Sequence, residues 1–148
     1  MHLEGERFQI VIKVTPGDID ALDHVNNVTY LRWVQDVAVA HWLNVTTQEE
    51  RQRWFWIVLR HEIDYKRPGL LGDEIVVETW VGASIRLKFE RFTEIRRLRD
   101  GELLAKAKSW WCPIDAHTRR PTAASDEIRR RFSIPEIDAT EMRPHDSL

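Results

Sequence analysis

Apolar and polar residues alternate from Phe8 to Val14, and this period of two predicts a half-buried β-strand. Pro16 and Gly17 then end the strand. The pattern changes from Val28 to Leu43, which is apolar at almost every position and leaves only a narrow polar stripe. We predict a long helix there, and so wide an apolar surface requires other elements around it.

The second half of the chain returns to a period of two. A polar segment at 46–53 is predicted as a loop or a short helical turn, and four strands are expected to follow in meander-like succession. Five residues of the first of these strands are predicted to share one face: Phe55, Ile57, Leu59, Ile63 and Tyr65.

Three local signals refine this pattern. The alternation slips near Arg91–Phe92, which suggests a β-bulge. The dipeptide at 100–101 is Asp-Gly, which predicts a type I′ hairpin turn because both central residues of that turn have positive φ. The segment 119–132 is predicted to be a connection followed by a short helix.

The order of elements predicts an α+β fold, in which one antiparallel sheet of about five strands wraps around a long central helix. The chain has 148 residues, enough for one hydrophobic core. We therefore expect a single domain over 1–148, with its core at about 7–132 and a loosely held C-terminal tail at 133–148.

Composition excludes several classes of function. A formal net charge of −2 gives no reason to expect a nucleic-acid partner, and the arginines at 129–131 are interpreted as a solvated helix face. Cys112 is the only cysteine, which rules out an intrachain disulfide and a cysteine-built metal site. The N-terminus does not resemble a signal peptide, and no apolar run approaches the ~20 residues of a membrane span. A cytoplasmic protein with no membrane partner is expected.

A dense polar cluster precedes the long helix. Residues 17–33 contain three carboxylates, one histidine and two asparagines. Burying such groups unpaired costs free energy, so we expect them either to cap the helix or to do chemistry. Asn26 and Asn27 are suitable caps, because an asparagine side-chain oxygen accepts hydrogen bonds from free backbone amides.

The spacing D-x-D-x-x-x-H-V-N-N-x-x-Y, from Asp18 to Tyr30, resembles the active-site segment of hotdog-fold acyl thioesterases. The closest branches are the 4-hydroxybenzoyl-CoA thioesterase-like and plant acyl-ACP thioesterase-like ones. Downstream, YKRPGLLGDEIVVET, which begins at Tyr65, resembles the Y-x-x-P-x-x-x-G-D segment of the same superfamily. The order of elements also matches over roughly 7–132. The resemblance implies a hotdog fold and thioester hydrolysis.

The resemblance assigns catalytic roles by position. The second acid of D-x-D falls on Asp20, which in such thioesterases activates water for attack on the thioester or attacks the carbonyl itself. The donor to the developing oxyanion is the backbone amide of Asn27, where free N–H groups and the helix dipole favour negative charge. His24 is expected to orient the water, bind substrate or lock the loop.

The match has two departures. The plant-type pattern has an asparagine two residues after the acid, where this chain has Leu22. Some members add an acidic residue near the position of Pro68–Gly69, and no carboxylate lies there. We therefore infer no multi-residue triad. Asp18 is expected to bind backbone amides of its own loop, and Asp23 to face solvent.

The resemblance also implies partners. It implies an acyl-CoA or acyl-ACP substrate, no metal or redox cofactor, and a site between two subunits of a homodimer or a dimer of dimers. The seven tryptophans agree with a subunit contact, although core packing is the alternative for each. The residues expected to bind substrate are Asn26, Tyr30, Arg67, Arg86 and Lys88, the basic ones by residue type alone.

Two other functions remain open. A hydratase or dehydratase acting on acyl thioesters shares the fold, but it usually has a different pattern of histidine and glycine. A non-catalytic hotdog protein that senses acyl-CoA is compatible with Leu22 and with the missing second acid. The sequence does not fix the acyl chain or the carrier.

Overall fold

The computed structural model describes residues 5–85 and 87–132. Arg86 and the tail predicted at 133–148 lie outside the described residues. A 3₁₀ turn at Pro16–Asp18 follows the first strand. The main elements, in chain order, are β1 (Phe8–Lys13), α1 (Asn27–Val45), α2 (Gln48–Arg53), β2 (Trp54–Tyr65), β3 (Glu74–Ile85), β4 (Lys88–Arg97), β5 (Leu103–Asp115) and α3 (Asp126–Arg131).

The strands form one antiparallel sheet in the order β1-β3-β4-β5-β2. The predicted fold class, one sheet of five strands with a helix against it, is confirmed. The predicted succession of four meander strands is wrong for β2, which pairs with β5 instead of β3. The connection at 66–73 carries the chain across the end of the sheet, so only β3, β4 and β5 form a meander.

Helix α1 covers the inner face of the sheet. Trp33, Val34 and Val37 are at most 1% exposed and belong to the same core cluster as the sheet residues Ile75 and Val77. Full burial of side chains of this size stabilises a fold by about 1.5–3 kcal/mol each. The spacing of these three residues places them on one face of the helix, and this face packs against the sheet.

The other side of α1 is open within the described residues. Val28 is 71% exposed, and Val39 and Leu43 are each 53% exposed. The prediction that other elements surround the helix is therefore correct for one face only. An apolar helix face that the described residues leave uncovered is typical of a surface that meets another molecule.

Strand β2 departs from its predicted face. Its register with β5 shifts between Val58 and Arg60, and one extra residue reverses the alternation of side chains. Before the shift, Trp56 packs toward the core, whereas Ile57 and Leu59 are 42% and 46% exposed. After the shift Ile63 packs against the core, as predicted. The prediction is thus wrong for the first half of the strand.

Two further predictions are corrected in detail. The expected bulge lies in β3, where the register shifts between Val81 and Ser84, opposite the segment from Phe89 to Arg91 on β4. The hairpin between β4 and β5 is confirmed, but its turn is not type I′, because only Gly101 in it has positive φ. The Gly101 amide donates to the carbonyl of Arg97, which makes a longer connection than the predicted two-residue turn.

The short C-terminal helix is confirmed as α3. Its arginines do not all face solvent as predicted. Arg131 forms ion pairs with Glu50 and Glu127, and Arg129 lies over the ring of Phe89 with 5.3 Å from Cζ to the ring centroid. No helix within the described residues is long and apolar enough to cross a membrane.

Candidate active site

Asp18 anchors the loop that leads into α1. Its carboxylate accepts hydrogen bonds from the Thr15 amide (2.9 Å), the Thr15 hydroxyl (3.0 Å) and the Arg32 guanidinium (2.6 Å). Burial raises the pKa of Asp18, but these donors lower it more, so the pKa lies below its ordinary value. The residue is buried, and its predicted role as a loop anchor is confirmed.

The carboxylate of Asp20 is held through one oxygen. Oδ1 accepts from the amides of Leu22 (2.9 Å) and His24 (3.3 Å), and the Asp20 amide donates to the carbonyl of His24 (2.8 Å). Within the described ranges, Oδ2 accepts no hydrogen bond. Because the loop fixes the carboxylate without using Oδ2, that oxygen is available for chemistry.

Helix α1 begins beside this carboxylate. Asn26 is the N-cap, and its side chain accepts from the Val28 amide at 3.0 Å, which confirms one of the two predicted caps. Asn27 is instead the first helical residue. Its amide donates to no group among residues 5–85 and 87–132. A free amide at a helix N-terminus carries partial positive charge, so it is suited to bind an oxyanion.

One cleft of about 310 Å³ lies at this end of the helix. Five of the residues predicted for the site line it: Asp20, His24, Asn27, Tyr30 and Arg67. His24 is exposed, and its ring makes no hydrogen bond to the part of the chain that the structure describes. Asp20 is the only carboxylate among the described residues that line the cleft. The cleft lining there contains no counterpart of the second acid that some members of the superfamily add.

Tyr30 forms the floor of the cleft. It is 2% exposed, and its hydroxyl accepts from the Gly69 amide at 2.9 Å. Burial raises the pKa of this hydroxyl. The Gly69 carbonyl in turn accepts from the Val25 amide at 2.9 Å. These two bonds fasten the loop at 66–69 to the N-terminal end of α1.

Glycine is required at position 69 by this close approach. A Cβ there would lie 2.9 Å from Cγ2 of Val25 and 3.3 Å from the Tyr30 hydroxyl oxygen. The resemblance pattern placed an acid near this position in some members. Here the backbone of Gly69 already fills the space against the helix.

Lys66 also lines the cleft, and so does Tyr65, which sequence reasoning missed. The Tyr65 hydroxyl donates to the carbonyl of Asn27 at 3.2 Å, and its ring packs edge-to-face on Tyr30 at 5.5 Å. A signal was present, because Tyr65 opens the second resemblance segment. It was interpreted only as a strand residue.

The predicted basic residues do not gather at one place. The side chain of Arg67 is 68% exposed and pairs with Glu102 at 3.3 Å. Lys88 begins β4 and does not line the cleft. The cleft loop bonds to Leu104, which lies roughly 25 Å from Lys88 along the strand direction at the usual rise per residue. Arg86 lies outside the described residues.

Metal-ligating side chains do not cluster in the described part of the chain. Among residues 5–85 and 87–132, no group of three or more His, Cys, Asp and Glu side chains is arranged to hold a metal ion. Cys112 is buried, and its thiol is free; burial raises its pKa. The groups that the cleft offers for chemistry are a carboxylate, a histidine, backbone amides and cations.

Sequence comparison relates the chain to acyl-carrier-protein thioesterases. A model of the thioesterase-like superfamily matches residues 14–132. The palmitoyl-acyl carrier protein thioesterase of Gossypium hirsutum is 26% identical over 135 residues, which cover 85% of this chain and 33% of that protein. The dodecanoyl-[acyl-carrier-protein] hydrolase of Umbellularia californica is 29% identical over 93 residues, 63% of this chain and 24% of that protein. The chain thus spans a third or less of these curated relatives.

Solved structures share the fold. Slr0204 of Synechocystis, a 1,4-dihydroxy-2-naphthoyl-CoA thioesterase, has a TM-score of 0.75 at 17% identity, covering 86% of this chain and 96% of that one. A thioesterase of Thermus thermophilus, solved with coenzyme A and Zn, has a TM-score of 0.73 at 27% identity, covering 84% and 95%. These similarities confirm the predicted hotdog fold. With the family model matched over residues 14–132 of 148, the chain belongs to the thioesterase-like superfamily.

Proposed function

We propose that the protein hydrolyses acyl thioesters of coenzyme A or acyl carrier protein to a carboxylic acid and a free thiol. Family membership supports the reaction class. The observation that carries the proposal is the meeting of Asp20 and the free amide of Asn27 in one cleft. A thioester is already a good acyl donor, so one positioned base or nucleophile and one oxyanion donor meet the needs of the reaction.

In the general-base form of the reaction, Oδ2 of Asp20 takes a proton from water as the water oxygen attacks the thioester carbon. The carbonyl π electrons move to oxygen, and the Asn27 amide and the helix dipole stabilise the resulting oxyanion. When the intermediate collapses, the C–S bond breaks and the thiolate leaves with the proton. In the nucleophilic form, Oδ2 attacks the carbon itself, and the C–S bond breaks to release the thiolate and leave a mixed anhydride. Water then cleaves the anhydride, which frees the carboxylic acid, restores the Asp20 carboxylate and supplies the proton that the thiolate takes up. Both forms use the same unpaired oxygen.

His24 and Arg67 supply the outer part of the proposed site. Both line the cleft and are exposed, so a bound substrate reaches them without disturbing the core. We assign His24 to orientation of water or substrate, and Arg67 with Lys66 to the phosphates of the carrier. Asn26 contributes indirectly, because its cap fixes the start of α1.

A second subunit completes the proposed enzyme. The exposed apolar residues of α1 (Val28, Val39 and Leu43) support a homodimer or a dimer of dimers. Lys88 does not line the cleft of its own chain. In a dimer, its predicted contact with the carrier is made to substrate held in the cleft of the other subunit.

One observation favours a non-catalytic alternative, in which the protein binds acyl-CoA without hydrolysing it. The cleft has a single carboxylate among its described lining residues, and the Leu22 side chain, 75% exposed, offers no polar group where the plant-type pattern has an amide. Binding without turnover would follow if Asp20 needs that missing partner.

Hydrolysis of an acyl-CoA panel, followed by free-thiol release, tests the proposal. Asp20→Asn keeps Oδ1 for the two loop amides and removes the base, so kcat/KM should fall at least about a hundredfold. Asp23→Asn is the matched control, because Asp23 is exposed at φ 61° and asparagine tolerates that conformation. Its activity should stay within about twofold of the parent, as is usual for exposed sites.

The panel also distinguishes the alternatives. Acyl-CoA binding with no thiol release by either the parent or Asp20→Asn would establish the sensor function and refute hydrolysis. Hydration of an enoyl-CoA with no thiol release would establish a hydratase.

A further inference from the structure

A buried cation, Arg91, lies far from the cleft on the inner face of β4. It is 7% exposed. Its Nη1 donates to Nδ1 of His41 and to Oγ1 of Thr79, each at 3.0 Å. Because a guanidinium only donates, Nδ1 of His41 is the acceptor and the imidazole is neutral. Burial and the neighbouring Arg91 charge lower the pKa of His41 to about 3, which agrees with this assignment.

Arg91 has no carboxylate partner among residues 5–85 and 87–132. The adjacent carboxylate, Glu90, pairs instead with Lys108 at 3.0 Å. Nε and Nη2 of Arg91 donate to no group within those ranges. Fully buried arginines are almost always paired, because an uncompensated buried charge is strongly destabilising. The open edge formed by Nε and Nη2 has the geometry that binds a carboxylate through two parallel hydrogen bonds.

Arg91 lines a second cavity, of about 150 Å³. The other walls of this cavity are mainly aromatic rings: Trp42, Phe55, Trp56, Phe89, Trp111 and Phe132. A cavity of this volume holds a group about the size of benzene. It lies beside Val39 on α1, about 18 Å from Asn27 along the helix axis, so it is distinct from the Asp20 cleft of the same chain.

Arg91 supplies the free donors that the cavity offers within the described residues. The indole N–H groups of Trp56 and Trp111 also have no hydrogen-bond partner there, but these nitrogens are too deeply buried for a group in the cavity to reach them. A ligand in the cavity therefore meets the free edge of Arg91, and the positive charge of that edge favours a negatively charged acceptor.

We propose that this cavity binds the carboxylate of a small aromatic acid, of the size of benzoate, as a second site separate from the Asp20 cleft. The ring fills the space between the aromatic walls, where its burial contributes the hydrophobic part of the binding. The carboxylate bonds to Nε and Nη2 of Arg91 and neutralises its charge. A dianionic phosphate would leave a net negative charge in the same apolar surroundings, which is unfavourable.

Titration of the full-length protein with 4-fluorobenzoate, followed by ¹⁹F NMR, tests the proposal without any thioester. The neutral analogue 4-fluorobenzyl alcohol matches its size and lacks its charge. The acid should bind saturably and at least about tenfold more tightly than the alcohol, a difference of about 1.4 kcal/mol. In Arg91→Met the affinity for the acid should fall at least about tenfold, and that for the alcohol should change less than about threefold.

Two further variants keep the test decisive. Arg91→Lys retains charge but loses the planar fork, so its affinity for the acid should lie between those of the parent and Arg91→Met. Asp20→Asn should bind the acid as the parent does. If Arg91→Met does not fold, two other measurements test the proposal. They are the ratio of acid affinity to alcohol affinity in the parent, and the affinity of Arg91→Lys for the acid.

Three outcomes would overturn the proposal. They are equal binding of acid and alcohol by the parent, no saturable binding of the acid, and a clear change in acid affinity in Asp20→Asn, in either direction, which would assign the ligand to the other cleft. The titration uses no thioester, so a negative result would not bear on the hydrolysis proposal, which the acyl-CoA assay tests separately.

Discussion

The bond between Tyr30 and Gly69 should stabilise the loop that closes the cleft. Tyr30→Phe keeps the ring and its packing on Trp33 but removes the acceptor of the Gly69 amide. Gly69 is buried, so its amide gains no water in exchange. Leaving a buried donor unsatisfied costs about 1–3 kcal/mol. We expect the free energy of unfolding to fall by about 2 kcal/mol and Tm by about 4–8 °C.

Tyr65→Phe is the matched control. Its hydroxyl also bridges to the start of α1, through the carbonyl of Asn27 at 3.2 Å. Tyr65 is 46% exposed, so water replaces the lost bond, and the expected change is under about 0.5 kcal/mol. Both hydroxyls connect the start of α1 to the segment 65–69, and the Tyr30 bond is buried whereas the Tyr65 bond is exposed.

Urea denaturation followed by tryptophan fluorescence measures both variants, and hydrogen–deuterium exchange measures protection of the Gly69 amide. Tyr30→Phe should lower both quantities, and Tyr65→Phe should leave both near the parent. Equal losses of stability in the two variants, or unchanged protection of Gly69 in Tyr30→Phe, would show that the bond does not secure the loop.

Two other predictions concern buried ionisable groups. Asp18→Asn should lower the free energy of unfolding at pH 7 by about 1.5–3 kcal/mol, because the charged acceptor of two Thr15 donors and Arg32 is lost; urea denaturation measures this. Since the pKa of Asp18 is lowered by folding, its contribution is present above about pH 4 and is lost in more acidic solution. For His41 the folded pKa is about 3 against 6.5 unfolded, and Arg91 is the charged group facing it. At pH values between these two pKa values, only the unfolded chain binds a proton at His41. The free energy of unfolding should therefore fall by about 2 kcal/mol from pH 7.5 to pH 5. The fall should be smaller in His41→Gln.

Elements governed by local pattern were predictable. The helix cap at Asn26, the capped turn of α3 and the alternation in β1 depend on residues within a few positions of one another. The bulge at Val58–Arg60 was not predictable, because it arises from register with β5, about 50 residues later in the chain. The same long-range pairing places β2 at the sheet edge, where no feature of its own sequence requires it to lie.

The candidate site also has residues that a local motif predicts and residues that only long-range contacts bring to it. Asp20 and Asn27 were found because one short segment carries both, with a spacing that resembles a known motif. Tyr65 joins them only through a contact across 38 residues. The Arg91 cluster was not foreseen, because Arg91 and His41 are 50 residues apart and neither belongs to a motif. Only the folded sheet and helix bring these groups together.

The central claim is that the Asn27 amide stabilises the oxyanion formed by attack from the Asp20 side. Asn27→Pro removes that amide together with the side chain. Proline is tolerated at the first position of a helix, and Asn26 already has the extended backbone, φ −63° and ψ 138°, that precedes proline. Asn27→Ala is the matched control, because it keeps the amide and removes the side chain.

The decisive measurement is kcat for acyl-CoA hydrolysis by these two variants, with folding verified by circular dichroism. We predict a fall of about 10²–10³ in Asn27→Pro, the usual effect of losing one oxyanion donor, and near-parental kcat in Asn27→Ala. Equal rates in Asn27→Pro and the parent would contradict the claim.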